Sequence, residues 1–143
     1  MLAFLRLASQ HPDQLAVALH EYSYEVDNIA NQYPSLVGRF QTLFQICDGQ
    51  GIPRPTVLIT EWGWEHTDVP SVEQAMRDIA WAAQLYAAYP EVRGAAIWYL
   101  GGGYEGIEDE AQQLIVPLRY YVWGSYFAIE PGQQPTNPAQ FAP

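Results

Sequence analysis

The segment TVLITEWGW, residues 56–64, decides the fold of this chain. Residues 56–60 are β-branched or apolar and follow two prolines, which predicts a strand buried on both faces. Glu61 and Trp62 stand directly at its end. Strands of parallel sheets are buried on both faces and carry functional groups at their carboxyl ends. The segment therefore predicts a parallel α/β fold with a carboxylate at the functional edge of its sheet.

Two further apolar runs predict strands on either side of this one. Residues 15–19 end at the polar His20 and Glu21, and residues 94–100 read GAAIWYL. Apolar residues at three- and four-residue steps predict helices after the strands. The first helix runs from residue 34 to residue 49. The second runs from Ser71, paired with Gln74 in a capping box, to residue 89. The third runs from residue 111 to residue 127, and Pro117 within it should break or kink it.

With a further helix placed before the first strand, the resulting order is helix, strand, helix, strand, helix, strand, helix. It predicts three neighbouring parallel strands with helical crossovers. A complete eight-stranded barrel needs about 250 residues, whereas the 143 residues of this chain have room for three or four such units. The prediction is part of a barrel over residues 1–128, or a fold that shares its pattern. Residues 129–143, rich in proline and glutamine, are predicted to form a tail or linker.

The composition narrows the classes of partner. The formal net charge of −10, from 16 acidic and 6 basic residues, disfavours nucleic acid and anionic membranes, which are themselves negative. Aromatic residues make up 14% of the chain, and their faces suit the C–H faces of sugar rings as well as they suit a core. One cysteine and three scattered histidines predict no metal site, and no motif predicts a cofactor.

Other motif searches are negative. No GxGxxG or GxxxxGK[ST] segment follows a predicted strand, which weakens a nucleotide-binding sheet without excluding it. No serine stands in a G-x-S-x-G elbow, as an acyl hydrolase of the common α/β type would need. The apolar first ten residues contain Arg6 and are too short for a signal peptide or membrane span, so they leave the localisation open.

Polar and aromatic side chains stand at the end of each predicted strand: His20 and Tyr22, Glu61, and Trp98. The carboxyl ends of parallel strands meet at one edge, where active sites are built. A carboxylate at a buried strand end is unfavourable unless partners solvate it, so Glu61 predicts a functional site, with backbone capping or pairing to arginine as the alternative. Glu21 should face away from His20 and Tyr22, because side chains alternate along a strand.

Three segments at these strand ends resemble strands six to eight of the clan A (β/α)8-barrel glycoside hydrolases. ITEWGW is similar to the seventh strand, which carries the nucleophile, VALHEYSY to the sixth and AAIWYL to the eighth. The resemblance implies a partial TIM (β/α)8 barrel, with three parallel strands and crossover helices, that hydrolyses O-glycosidic bonds in a carbohydrate with retention. It implies that Glu61 is the nucleophile, that His20 and Tyr22 hydrogen-bond to it, and that Trp98 is a platform for the sugar ring.

One part of the family's site has no counterpart here. The clan's acid/base glutamate lies in an Asn-Glu pair at the end of the fourth strand, and this sequence contains no such segment. The acidic residues Glu65, Glu105, Glu108 and Asp109 do not match the family pattern and are expected to be solvated. We therefore expect the chain alone to be inactive, and to need the missing N-terminal half of the barrel or to self-associate.

Two questions stay open at the level of sequence. Trp62 and Trp64 beside Glu61 are candidates for substrate binding, and packing is an equally good interpretation of Trp64. The chain also fits a non-catalytic carbohydrate-binding or scaffold module, in which aromatic residues hold a sugar without cleaving it. The enzyme requires a second carboxylate about 5 Å from Glu61 in the assembled protein, and the module does not.

Overall fold

The computed structural model describes residues 1–65, 70–98 and 107–124. Its helices are α1 (Leu2–Gln10), α2 (Phe40–Gly49), α3 (Val72–Ala87) and α4 (Ile107–Gly124), and its strands are β1 (Val17–Ser23), β2 (Val57–Trp64) and β3 (Val92–Ile97). A short 3₁₀ helix, Ile29–Gln32, lies between β1 and α2. The predicted tail, residues 129–143, and the glycine-rich and acidic segment at 99–106 lie outside the described residues.

The three strands form one open parallel sheet in the order β1-β2-β3. This order confirms the prediction of three neighbouring parallel strands. A helix lies between β1 and β2 and another between β2 and β3, as the alternating sequence pattern predicts. The fold is therefore α/β, and its open sheet with intervening helices is consistent with part of a barrel.

Two strands run further than their apolar runs. β1 continues to Ser23 and β2 to Trp64, whereas the runs end at residues 19 and 60. His20 pairs with Glu61 and Ser23 pairs with Trp64, so the polar strand ends remain in the ladder. Ladder bonds join backbone groups and do not depend on side-chain polarity, which is why hydrophobicity alone places these strand ends too early.

The helix after β1 begins at Phe40 and not at residue 34 as predicted. Gly38 has a φ of 88°, a left-handed conformation that a right-handed helix does not contain. A Cβ at this position would also lie 2.8 Å from the Tyr33 ring, so glycine is required there. Val37 is fully buried although it precedes the helix. The apolar residues of this turn are spaced as in a helix because they pack into the core. This spacing is why the sequence predicts too early a start for α2.

The predictions for the two later helices, α3 and α4, are confirmed only in part. Ser71 caps α3 by accepting a hydrogen bond from the Gln74 backbone N–H at 3.3 Å, as predicted. The Gln74 side chain donates instead to Asp78 at 2.8 Å, so one half of the capping box forms. The sequence predicts a break or a kink at Pro117, and α4 continues through this proline without a break. A proline removes one backbone donor, so the helix lacks one hydrogen bond at that point.

One face of the sheet is covered by helices, and the other is open. On the covered face, Val57, Ile59 and Trp62 are at most 2% exposed and belong to the same core as residues of α2 and α3. On the open face, Ala18 and Leu58 are exposed. Side chains that point to the open face are therefore accessible to a ligand, whereas those on the covered face pack the interior.

Candidate active site

Glu61 lies on the open face with two neighbours from β1. The Tyr22 hydroxyl donates to Glu61 Oε2 at 2.7 Å, and His20 Nδ1 lies 3.1 Å from the same oxygen. The Glu61 side chain is 31% exposed. The structure thus brings together three of the site candidates predicted from the strand ends. The Glu61 carboxylate remains accessible to solvent.

A β-bulge sets the direction of the Glu61 side chain. The pairing of β1 with β2 steps from Leu19 opposite Ile59 to His20 opposite Glu61, which leaves Thr60 as an extra residue. Strict alternation through Thr60, without a bulge, would place Glu61 on the covered face with Ile59. Bulges re-aim side chains next to active sites, and this one turns Glu61 to the open face. The pairing of β2 with β3 is irregular at the same place, and no sequence signal predicts either irregularity.

Trp98 joins this cluster from the end of β3. Its backbone N–H donates to the Trp62 carbonyl at 2.8 Å, and its ring meets the Tyr22 ring edge to face with the centroids 6.2 Å apart. Gly63 permits this approach, because a Cβ there would lie 2.7 Å from the Trp98 carbonyl oxygen. The glycine of the EWGW segment is therefore required by the close contact between β2 and Trp98.

The two neighbours of Glu61 differ in how they hold its carboxylate. Burial raises the pKa of Tyr22, and the hydrogen bond to Glu61 and the charge of that carboxylate raise it further. Tyr22 therefore stays protonated at ordinary pH and donates its hydrogen bond. His20 forms an ion pair with Glu61 when its imidazole is protonated, and its side chain is 55% exposed. Both contacts are made to Oε2.

Trp62 and Trp64 lie on the covered face. Their exposed fractions are 2% and 7%, and their rings pack edge to face with the centroids 5.2 Å apart. The Trp64 indole N–H donates to Asp78 at 3.0 Å. Alternation resumes after the bulge, so Trp62 and Trp64, one and three positions after Glu61, point to the covered face. The sequence makes both tryptophans candidates for substrate binding. From their burial, we assign both to packing of the core.

Glu21 faces away from Glu61, as predicted from alternation. It is fully buried, and its carboxylate accepts hydrogen bonds from the backbone N–H groups of Gly38 at 2.6 Å and Phe40 at 3.2 Å and from the Tyr86 hydroxyl at 2.8 Å. Burial raises the pKa of Glu21 and outweighs the lowering effect of these hydrogen bonds. The sequence gives no signal for the three partners, because they are distant along the chain.

Outside this cluster, the described residues contain no metal site and no membrane-spanning helix. The described residues contain no group of three or more His, Cys, Asp or Glu side chains that could hold a metal ion. No helix in the described ranges is long and apolar enough to cross a membrane. The side chains of Glu105, Glu108 and Asp109, and residue His66, lie outside the described part of the chain, and Glu65 is partly buried directly after β2.

Comparison of the chain with protein-family models, with curated proteins and with solved structures gives no match in any of the three. The function of the chain is therefore inferred from the geometry of the site. That geometry is an accessible carboxylate held at one oxygen by a tyrosine and a histidine, with a tryptophan against the tyrosine.

Proposed function

We propose that Glu61 is the nucleophile of a retaining glycoside hydrolase and that this chain supplies the nucleophile's side of the active site. The arrangement at Glu61 carries the proposal. Its Oε2 accepts a hydrogen bond from the Tyr22 hydroxyl at 2.7 Å and lies 3.1 Å from His20 Nδ1. Oε1 is therefore the oxygen left for attack, on a side chain that is 31% exposed.

This arrangement suits the two displacements of a retaining mechanism. In the first, Glu61 Oε1 bonds to the anomeric carbon while the bond to the leaving oxygen breaks, and a carboxylic acid from the rest of the assembled site protonates that oxygen. In the second, water attacks the anomeric carbon and the ester bond to Glu61 breaks. The group that acted as the acid in the first displacement, now ionised, takes a proton from the water. Tyr22 and His20 hold the nucleophile in one orientation throughout.

The aromatic residues of the cluster support a carbohydrate as the substrate. Trp98 is partly buried and lies edge to face against Tyr22, whose hydroxyl holds the nucleophile. Indole faces suit the C–H faces of sugar rings, and an indole side chain loses little conformational entropy when a ligand orders it. Trp98 is therefore our candidate for the sugar platform, and Trp62 and Trp64 are not.

The open face supports the proposal that further βα units complete the barrel and carry the acid/base group. Parallel sheets bury both faces in α/β proteins, whereas this sheet has one face exposed. Large apolar side chains are also exposed on the two terminal helices, Leu2, Phe4 and Leu7 on α1 and Val116, Tyr120 and Trp123 on α4. We expect the chain alone to self-associate, which sedimentation velocity over a range of concentrations measures. A monodisperse monomer that unfolds cooperatively would contradict this part of the proposal.

Covalent labelling tests the nucleophile. In a dinitrophenyl 2-deoxy-2-fluoro-glycoside, the leaving group departs without a general acid and the fluorine slows hydrolysis of the glycosyl ester. The reagent therefore reports the first displacement even when the acid/base group is missing. We expect mass spectrometry of the labelled protein to place the adduct on Glu61. The experiment uses this chain alone and the same chain joined to the sequence encoded upstream of it.

The outcome separates the enzyme from the binding module. Glu61→Gln should abolish the adduct and leave equilibrium binding of the sugar unchanged. Absence of any adduct in both proteins, over glucosyl, galactosyl, mannosyl and xylosyl reagents, would overturn the proposal. If an unmodified oligosaccharide still bound in that case, and Trp98→Ala removed the binding, a carbohydrate-binding module would take its place.

A further inference from the structure

We propose that Glu21 is a positioning residue for the nucleophile. From the covered face, it fixes the part of β1 that presents His20 and Tyr22 to Glu61 on the open face. Its catalytic consequence rests on the proposed function of Glu61, whereas its effect on the geometry of the cluster does not. This role follows in three steps from the burial of Glu21, the elements that it joins, and its place between two site residues.

The first step is that a carboxylate at position 21 is unfavourable without specific partners. Val17, which shares the covered face of β1, is apolar and 8% exposed, and Glu21 is 0% exposed. Transfer of a charged group out of water is strongly unfavourable unless hydrogen bonds replace the lost hydration. An apolar residue would fill this position without that penalty, so the carboxylate must be held by the contacts it makes.

The second step is that Glu21 joins β1 to two helices through both of its oxygens. Oε1 accepts the Phe40 N–H at the start of α2. Oε2 accepts the Gly38 N–H just before that helix and the Tyr86 hydroxyl from α3. Hydrogen bonds to a charged group are stronger and more directional than those between neutral groups. The end of β1 is thereby fixed relative to both helices that cover the sheet.

The third step is that the same contacts reach the site residues. Arg39 lies between the two residues whose N–H groups bind Glu21, and its Nη1 donates to the His20 carbonyl at 3.3 Å. His20 and Tyr22 are the chain neighbours of Glu21, and both of their side chains contact Glu61 Oε2. Because side chains alternate, Glu21 holds the covered side of the same strand segment that presents His20 and Tyr22 on its open side.

A core-packing role for Glu21 makes a different prediction, and Asp78 provides the matched control. Asp78 is also a buried carboxylate, 4% exposed, and accepts hydrogen bonds from Trp64 and Gln74 on the covered side. Substitution of a residue that only stabilises the core lowers the stability of the protein without weakening the contact between Tyr22 and Glu61. Substitution of a positioning residue also weakens that contact.

A double-mutant cycle measures the contact directly. Tyr22→Phe, Glu61→Gln and the double variant give the coupling between the two side chains from free energies of unfolding at one fixed protein concentration. The cycle is repeated in the Glu21→Gln and Asp78→Asn backgrounds. We expect the coupling to fall to less than half in the Glu21→Gln background and to stay unchanged with Asp78→Asn. Equal coupling in all three backgrounds would overturn the proposal.

Two additional measurements keep the test decisive. If Glu21→Gln does not fold, Tyr86→Phe removes one of the three donors to Glu21 and should reduce the coupling in the same direction. In the labelling reaction, Glu21→Gln should lower the rate constant for Glu61 modification at least tenfold and change the affinity for the reagent less than twofold. Reduced coupling in a protein that is never labelled supports the positioning role and counts against the proposed function, so the two proposals fail separately.

Discussion

Glu21 and Glu61 lie at the same edge of the sheet, in neighbouring strands, with opposite surroundings. Glu21 pairs with Trp62 in the β1–β2 ladder, and Glu61 pairs with His20, one step away. Glu21 is fully buried and its two oxygens accept three hydrogen bonds, whereas Glu61 is 31% exposed and is held through one oxygen by Tyr22 and His20. The face of the sheet thus separates a structural carboxylate from an accessible one.

The β-bulge in β2 produces this difference. Thr60 is its extra residue, and if the strand alternated regularly through Thr60, Glu61 would share the covered face with Ile59. The bulge therefore sends the carboxylate of β2 to the open face, while the regular alternation of β1 sends Glu21 into the core. The strand position of a carboxylate is a weak guide to its role unless the register of the ladder is known.

Substitution of Glu61 should give the largest effect. In an active protein that contains this chain, Glu61→Gln keeps the shape of the side chain and removes the attacking charge, so turnover of an activated aryl glycoside should fall by several orders of magnitude. Sugar affinity, measured by titration calorimetry, should change little. Asp13→Asn, an exposed position before β1, is the control and should keep full activity. Near-normal turnover of Glu61→Gln would show that the exposed glutamate is not the nucleophile.

Substitution of Tyr22 sharpens the comparison by removing one of the contacts that distinguish Glu61 from Glu21. Tyr22→Phe loses one hydrogen bond to a charged group, worth about 1.5–3 kcal/mol. Expressed wholly in the transition state, this loss lowers kcat/KM about 10- to 150-fold. Steady-state kinetics on the same aryl glycoside measures it. An effect as large as that of Glu61→Gln would instead make Tyr22 part of the covalent chemistry.

Much of the fold follows from short-range patterns in the sequence. The three apolar runs predict the strands and their neighbours, because burial on both faces leaves a continuous hydrophobic signal. The same runs predict the site candidates, because polar and aromatic residues stand at their ends and parallel strands end at one edge of the sheet. These candidates are His20, Tyr22, Glu61 and Trp98. The structure brings His20, Tyr22 and Glu61 into contact and packs Trp98 against Tyr22.

The features that sequence reasoning missed all depend on register or on distant contacts. The faces of Trp62 and Trp64 depend on the bulge at Thr60, which leaves no mark on the local hydrophobic pattern. The start of α2 depends on the left-handed Gly38 and on the packing of the turn before it. The partners of Glu21 are up to 65 residues away, and a single sequence contains no signal that joins them.

Gly63 and Gly94, in neighbouring strands, provide a smaller test. Gly63→Ala would place a Cβ 2.7 Å from the Trp98 carbonyl oxygen, so the backbone must shift, at about 1–3 kcal/mol of stability. Gly94→Ala, in the adjacent strand, meets no atom within 4 Å and should be neutral or stabilising by up to about 1 kcal/mol. Chemical denaturation measures both. Equal effects of the two substitutions would contradict the close approach of Trp98 to β2.

The smallest expected effect is a pH dependence of stability that comes from the buried carboxylate. Burial raises the pKa of Glu21 above its unfolded value of about 4.3, although the Tyr86 hydroxyl and the Arg39 charge lower it. Between the unfolded and folded pKa values, the unfolded chain has lost a proton that the folded chain retains. The free energy of unfolding is therefore highest below the unfolded pKa and falls as the pH rises through the folded pKa.

Thermal unfolding followed between about pH 4 and pH 8 measures this slope. Glu21→Gln should make the decline shallower without removing it, because burial also raises the pKa of Asp78 and gives a contribution of the same sign. Asp13→Asn changes the net charge of −10 by the same single unit at an exposed position. If it flattened the decline as much as Glu21→Gln, general charge repulsion would account for the slope, and the buried glutamate would have no measurable titration of its own.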